Sequence, residues 1–231
     1  MTSNLLISAS GNVDHDKIVE LVQKNITTLN KGKDRNYKLK EVSQTENLVI
    51  KKDIQQTHVI IGRKTFGYKN PDRLKVNLLS NIIGEGSSSR LFNVLRERNG
   101  LTYQINTFLN SFSDYSAFGV YFSTNEKQAS RATELVYNEF EKIRNKGISK
   151  TEFSRAKEYM KGHLIMHLES TTNRMIRMAQ TNLYFNRTKM IQESIDSINE
   201  MSLDDILEIS QELLNGNSMS KVVVSAKPNL N

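Results

Sequence analysis

Arg96 and Tyr103 are the side chains whose types and spacing in this sequence point most directly to chemistry. They lie seven positions apart in the run Gly84-Glu-Gly-Ser-Ser-Ser-Arg-Leu-Phe-Asn-Val-Leu-Arg-Glu-Arg-Asn-Gly-Leu-Thr-Tyr103. A guanidinium and a phenol both donate hydrogen bonds, so the two brought together can grip a carbonyl oxygen. The run reads as a glycine-serine turn, an amphipathic helix and a glycine break into a strand. That places Arg96 near a helix end and Tyr103 near the start of a strand. Spacing alone leaves a plainer reading open, with Arg96 paired to an acid or facing solvent and Tyr103 packed between strand and helix. No nucleophile-base pair and no convincing metal site elsewhere accompanies the clamp.

The other chemical candidates are weaker. Histidines stand at positions 15, 58, 163 and 167. His163 and His167 share a helical face by spacing, as a zinc pair does. A hydrolytic zinc helix also needs a carboxylate beside the histidines to activate water. Here Leu, Ile and Met intervene, and Glu169 falls on a different face. The Gly84–Ser89 run lacks the lysine of a phosphate loop and follows a helix instead of a strand, so it reads as a helix break.

Bulk composition narrows the classes. The chain has 231 residues, 37% hydrophobic and 25% charged, which is enough for a sizeable core and ordinary for a globular domain. The net charge of +7 is spread among interleaved acids, not clustered with aromatics, which argues against a nucleic-acid partner. There is no cysteine, hence no disulfide and no thiolate metal site. No apolar run reaches the length of a membrane span, and the first residues lack the charged leader and apolar core of a signal peptide. The compartment stays open.

The elements that must position Arg96 and Tyr103 follow from periodicity and caps. Leu5–Ala9 reads as a short strand, and Asp14 caps a helix with Ile18, Val19, Val22 and Ile26 on one face. Residues 28–45 are polar and aperiodic, a linker between residues 1–27 and a larger domain over 46–231. Residues 48–65 read as one or two strands, Asn70-Pro71 as a helix start, and 102–109 with 117–124 as a hairpin. A helix ending at Gly147 follows, then a capping box at Ser149 and Glu152, a long helical region, a helix capped by Ser202, and a last strand over 221–226. The order predicts an α+β fold, a mixed or antiparallel sheet with helices packed on one face.

Four ordered stretches carry a resemblance: Ala9–Asp14, Asn81–Tyr103, Gly147–Lys157 and Leu168–Thr171. Together they resemble the insulinase/pitrilysin/mitochondrial processing peptidase family of zinc metallopeptidases, specifically its C-terminal, non-zinc-binding half. The resemblance implies one half of a two-lobed, clam-like metallopeptidase. It implies that the inverted zinc motif, His-x-x-Glu-His, absent from this sequence, would lie before Met1 in the N-terminal half or on a partner chain. It also implies that Arg96 and Tyr103 are the catalytic and substrate-binding pair that holds the substrate backbone across from zinc. No metal is expected on this chain itself.

The expected function is therefore the C-terminal half of an insulinase-like zinc metallopeptidase, inactive alone, whose partners are a zinc-bearing half and a peptide substrate. The alternative is a non-catalytic scaffold or peptide-binding subunit of the same fold. Apolar surface left by Leu5–Ala9 predicts self-association of the isolated chain.

Overall fold

Local signals set most of the helix boundaries. The computed structural model describes residues 5–27 and 45–226. Asp14 accepts the Lys17 N–H at 3.0 Å and starts α1 (His15–Asn25). Asn70 accepts the Asp72 N–H at 2.8 Å and launches α2 (Asp72–Gly84), with Pro71 at its N-cap. The strands are β1 (Asn47–Lys51), β2 (Thr57–Phe66), β3 (Gln104–Ser111), β4 (Tyr115–Thr124) and β5 (Ser220–Ser225). The other α-helices are α3 (Ala129–Lys146), α4 (Lys150–His167), α5 (Thr171–Phe185), α6 (Ile191–Glu200) and α7 (Leu203–Leu213). Ser202 and Asp205 form a full capping box at the start of α7.

The chain divides into two compact units. The larger, residues 44–161 and 195–231, holds the sheet, in the order β1-β5-β2-β4-β3. β1 runs parallel to β5 and every other pairing is antiparallel, so the sheet is mixed. One face carries the core. Val59 and Ile61 on β2, Phe118, Val120 and Phe122 on β4, and Val223 on β5 are buried there with apolar side chains of α2, α3 and α7. The opposite face is thinly covered, and Ile60, between Val59 and Ile61, is exposed. This is the α+β architecture with helices on one face that the element order implies.

The smaller unit, residues 1–43 and 162–194, contains α1, α5 and the adjoining ends of α4 and α6. Within it Ser8 Oγ donates to the Met175 carbonyl at 3.0 Å. Leu5–Ala9, expected as a strand, is not one: its own unit contains no described sheet for it to join. The linker expected over 28–45 falls outside the described residues except for its last position.

Two ion-pair networks pin helices of the larger unit. Lys75 on α2 bridges Asp72 at 2.9 Å and Asp205 at the start of α7 at 2.8 Å. Arg90 grips Glu152 in a fork, Nε to Oε1 at 2.8 Å and Nη2 to Oε2 at 3.1 Å. Ser149 adds its N–H and hydroxyl to the same carboxylate at 2.9 and 2.8 Å. The Arg90 guanidinium, helped by Ser149, holds the Glu152 carboxyl down at about 2, against an ordinary value of 4.5. A depressed carboxyl stabilises the fold fully above its ordinary value and ceases to do so as the pH falls through about 2. Glu152→Gln should therefore lower stability at pH 7 by about 1 kcal/mol after solvent screening. The deficit should shrink between pH 4.5 and 2, as thermal melts of both proteins across that range will check.

Candidate functional site

The segment from Gly84 to Tyr103 is fastened at several points. Gly84, the last residue of α2, lies against β3: a Cβ there would come within 2.7 Å of Thr107 Cγ2 and 2.9 Å of Thr107 N. Thr107 Oγ1 donates to the Ser80 carbonyl at 2.9 Å, completing the seam. The turn after α2 closes when the Ser89 hydroxyl donates to the Gly86 carbonyl at 2.8 Å. Arg90 is then anchored on Glu152, and Leu91 and Leu95 enter the core.

The helix that follows is a π-helix, Phe92–Arg98. Its leucine spacing does not separate α from π winding, so the sequence reads only as helix. Arg96 and Arg98 fall in its last turn, where cations favour the negative end of the helix dipole. The Arg96 guanidinium lies 5.0 Å from the centroid of the Phe92 ring, and its Nη1 donates to the Tyr103 carbonyl at 3.1 Å. One donor is thus fixed to the chain's own backbone while a flat cation is stacked on an aromatic face.

Tyr103 is set by its neighbours. Leu101 and Thr102 are buried, and the Thr102 hydroxyl donates to the Ser123 carbonyl of β4 at 2.5 Å. Next in the chain, Tyr103 is 83% exposed, and β3 begins at Gln104. The structure brings Arg96 and Tyr103 together through the tyrosine's backbone carbonyl, leaving the phenol projecting into solvent. β3 is an edge strand with no strand on its outer side among the described residues.

The pair stands on open surface. Shallow clefts of roughly 320 and 330 Å³ border α3, and neither is lined by Arg96 or Tyr103. His163 and His167 stack with ring centroids 5.9 Å apart, yet among the described residues no group of three His, Asp or Glu side chains is placed to hold a metal ion. The described residues therefore do not fit a zinc site. No described helix is long and apolar enough to cross a membrane.

Two supporting contacts were not read from the sequence. Phe92, four positions before Arg96, had a readable signal, since that spacing stacks side chains along a helix. The Arg90–Glu152 fork joins positions 62 apart and has no local signature.

Known proteins share the sequence pattern and the fold of this chain. The family profile described as "Peptidase M16 inactive domain" matches residues 2–160. An "Uncharacterized zinc protease" of Rickettsia felis is 31% identical over 225 residues, covering 95% of this chain and 53% of that protein. The chain spans about half the length of the curated relatives it matches. The crystal structure of a protease from Helicobacter pylori superposes with a TM-score of 0.82 at 22% identity, over 94% of this chain and 54% of that one. A peptidase M16 inactive domain from Pseudomonas fluorescens superposes with a TM-score of 0.72 at 19% identity, over 80% of this chain and 44% of that one. A fold shared with both structures, a zinc-protease relative above 30% identity and a profile covering most of the chain converge: this chain belongs to the peptidase M16 inactive domain family, the non-catalytic C-terminal half of the zinc proteases.

Proposed function

We propose that this chain is the substrate-gripping half of a zinc peptidase, with Arg96 and Tyr103 as the residues that touch the peptide. The observation that carries the reading is the pre-organised guanidinium: Arg96 is stacked on Phe92 and tied by one N–H to the Tyr103 carbonyl. A guanidinium has five N–H donors, so others remain for a substrate carbonyl, and the Tyr103 hydroxyl supplies a further donor. Donors fixed before the substrate arrives stabilise negative charge as it grows on the attacked carbonyl oxygen, without reorganising at that moment. An extended peptide adding to the outer edge of β3 meets Tyr103 immediately before the strand begins.

The metal and the group that activates water belong, on this reading, to a zinc-bearing N-terminal half or partner chain. On this reading residues 1–27 are the tail of that preceding half, 28–45 a linker and 46–231 the C-terminal peptidase-family domain, whose grip lies in the larger compact unit. Apolar side chains exposed in the smaller unit, among them Met166, Leu183 and Met190, support self-association of the chain when it is alone.

The test mixes the purified chain with a separately expressed zinc-bearing half and follows cleavage of a quenched fluorescent peptide mixture. Cleavage is expected only when both are present, together with conversion of self-associated chain into a mixed assembly on size-exclusion chromatography with light scattering. Chelator-sensitive cleavage by this chain alone would refute the reading. Peptide binding without cleavage by the mixture would favour a scaffold or peptide-binding subunit.

A further inference from the structure

The end of the π-helix is built around Asn99. The Leu101 N–H reaches the Leu95 carbonyl, six positions back, at 2.8 Å, and the Gly100 N–H reaches the Arg96 carbonyl, four back, at 3.1 Å. Where an α-helix closes in a Schellman turn, the equivalent bonds span about five and three positions. The π winding stops at Asn99, whose own N–H turns to the Arg96 carbonyl three positions back, before Gly100 turns the chain at a φ of 60°. The Val94 carbonyl is met by a side chain: Asn99 Nδ2 donates to it at 2.7 Å. The other end of the same amide, Oδ1, accepts from Arg131 Nη2 on α3 at 3.3 Å. A carbonyl can only accept and a guanidinium can only donate, so neither neighbour tolerates a flipped amide.

We propose that Asn99, clipped by Arg131, is a positioning residue for Arg96: it fixes the register of the π turn and with it the direction in which Arg96 presents its free donors. The inference rests on Arg96 being part of the substrate clamp. A slip of one residue in winding swings a side chain by roughly a quarter turn around the helix axis. Arg96 would then leave the Tyr103 carbonyl and the Phe92 ring that hold it. Asn93 supports the other end of the segment, with Nδ2 donating to the Ser89 carbonyl at 2.9 Å, but it makes no link to another helix. Asn99 alone joins the Arg96 turn to α3 by a side-chain hydrogen bond among those described.

The first readout needs no activity. Phenylglyoxal labelling of the full chain, mapped by mass spectrometry below the melting temperature, compares Arg96 with Arg98, two positions on in the same turn. In Asn99→Ala and in the near-isosteric Asn99→Asp, which loses the donor to Val94, the Arg96-to-Arg98 labelling ratio should rise severalfold. Arg131→Ala, which leaves the helix sequence intact, should shift it the same way, and it decides the matter if the Asn99 variants do not fold. An unchanged ratio in the folded variants overturns the proposal, because a residue that only stabilises the helix end would lower the melting temperature without moving Arg96. The second readout is cleavage by the chain assembled with the zinc-bearing half. Asn99→Asp should lower kcat about tenfold or more with little change in KM, and should add nothing in an Arg96→Ala background. A further loss in that background also overturns the proposal. Should Arg96→Ala by itself leave cleavage intact, the clamp reading fails, while the labelling ratio still judges whether Asn99 positions Arg96.

Discussion

Arg96→Ala should cut kcat of the assembled peptidase by about 10²–10³, the usual cost of removing one pre-organised donor from a site of developing negative charge. The chain should meanwhile lose only about 1 kcal/mol of stability, since Arg96 is exposed and its contacts are one backbone hydrogen bond and one ring stack. Arg96→Lys should restore little of the rate. An ammonium cannot stack flat on Phe92 and at once donate to Tyr103 and to a substrate as a planar fork does. Tyr103→Phe keeps the ring and the backbone carbonyl that anchors Arg96, and removes only the phenolic donor. Its effect should fall chiefly on kcat, and the double variant should lose less than the product of the two single losses, because both groups serve one oxygen. Steady-state kinetics on the two-chain assembly decide the matter. A rate that survives Arg96→Ala removes Arg96 from the chemistry.

The largest expected loss of stability comes from Gly119→Val, at about 3 kcal/mol, the upper end of what overpacking usually costs. Gly119 faces Gly62 across the β2–β4 ladder in the middle of the sheet. A Cβ on Gly119 would come within 2.6 Å of Phe108 Cζ, 2.7 Å of the Ile61 carbonyl oxygen and 3.0 Å of Gly62 Cα. The phenyl ring can swing aside, but the two backbone atoms cannot move without opening the ladder. Phe108→Ala should for that reason fail to rescue Gly119→Val, as chemical denaturation of the single and double variants will test. Recovery of most of the loss would mean that the ring, not the backbone, is the obstacle.

How far the fold was legible in the sequence depended on how local the deciding interactions were. Asp14, Ser149 with Glu152, and Ser202 with Asp205 each satisfy backbone donors within three residues, and the helices they start are where their sequences place them. Strand order was not legible. β5 lies between β1 and β2 because of ladder bonds between residues far apart in the chain, which no periodicity encodes. The π winding was hidden because Leu91 and Leu95 suit either helix. Leu5–Ala9 has the composition of a strand, but composition does not supply a neighbouring strand to pair with. Arg96 and Tyr103 are singled out as candidates by the resemblance. That Arg96 is tied to the tyrosine's carbonyl, with the phenol left outward, depends on the buried anchors Leu101 and Thr102 and on Gly100, and emerges only in three dimensions.

The place of β5 also bears on how the chain is made. β1 and β2 are close in sequence but are joined in the sheet through β5, whose first residue, Ser220, accepts from the Glu46 N–H across 174 positions. A nascent chain that has already emitted β2 must wait for about 150 further residues, on the order of ten seconds of translation, before the gap is filled. Until then β2 exposes one bare edge and β1 has no partner in the sheet at all. The last strand is thus the keystone of synthesis. A ribosome that terminates before β5 is made releases a sheet with its interior edge open, a form prone to capture by chaperones or by other strands.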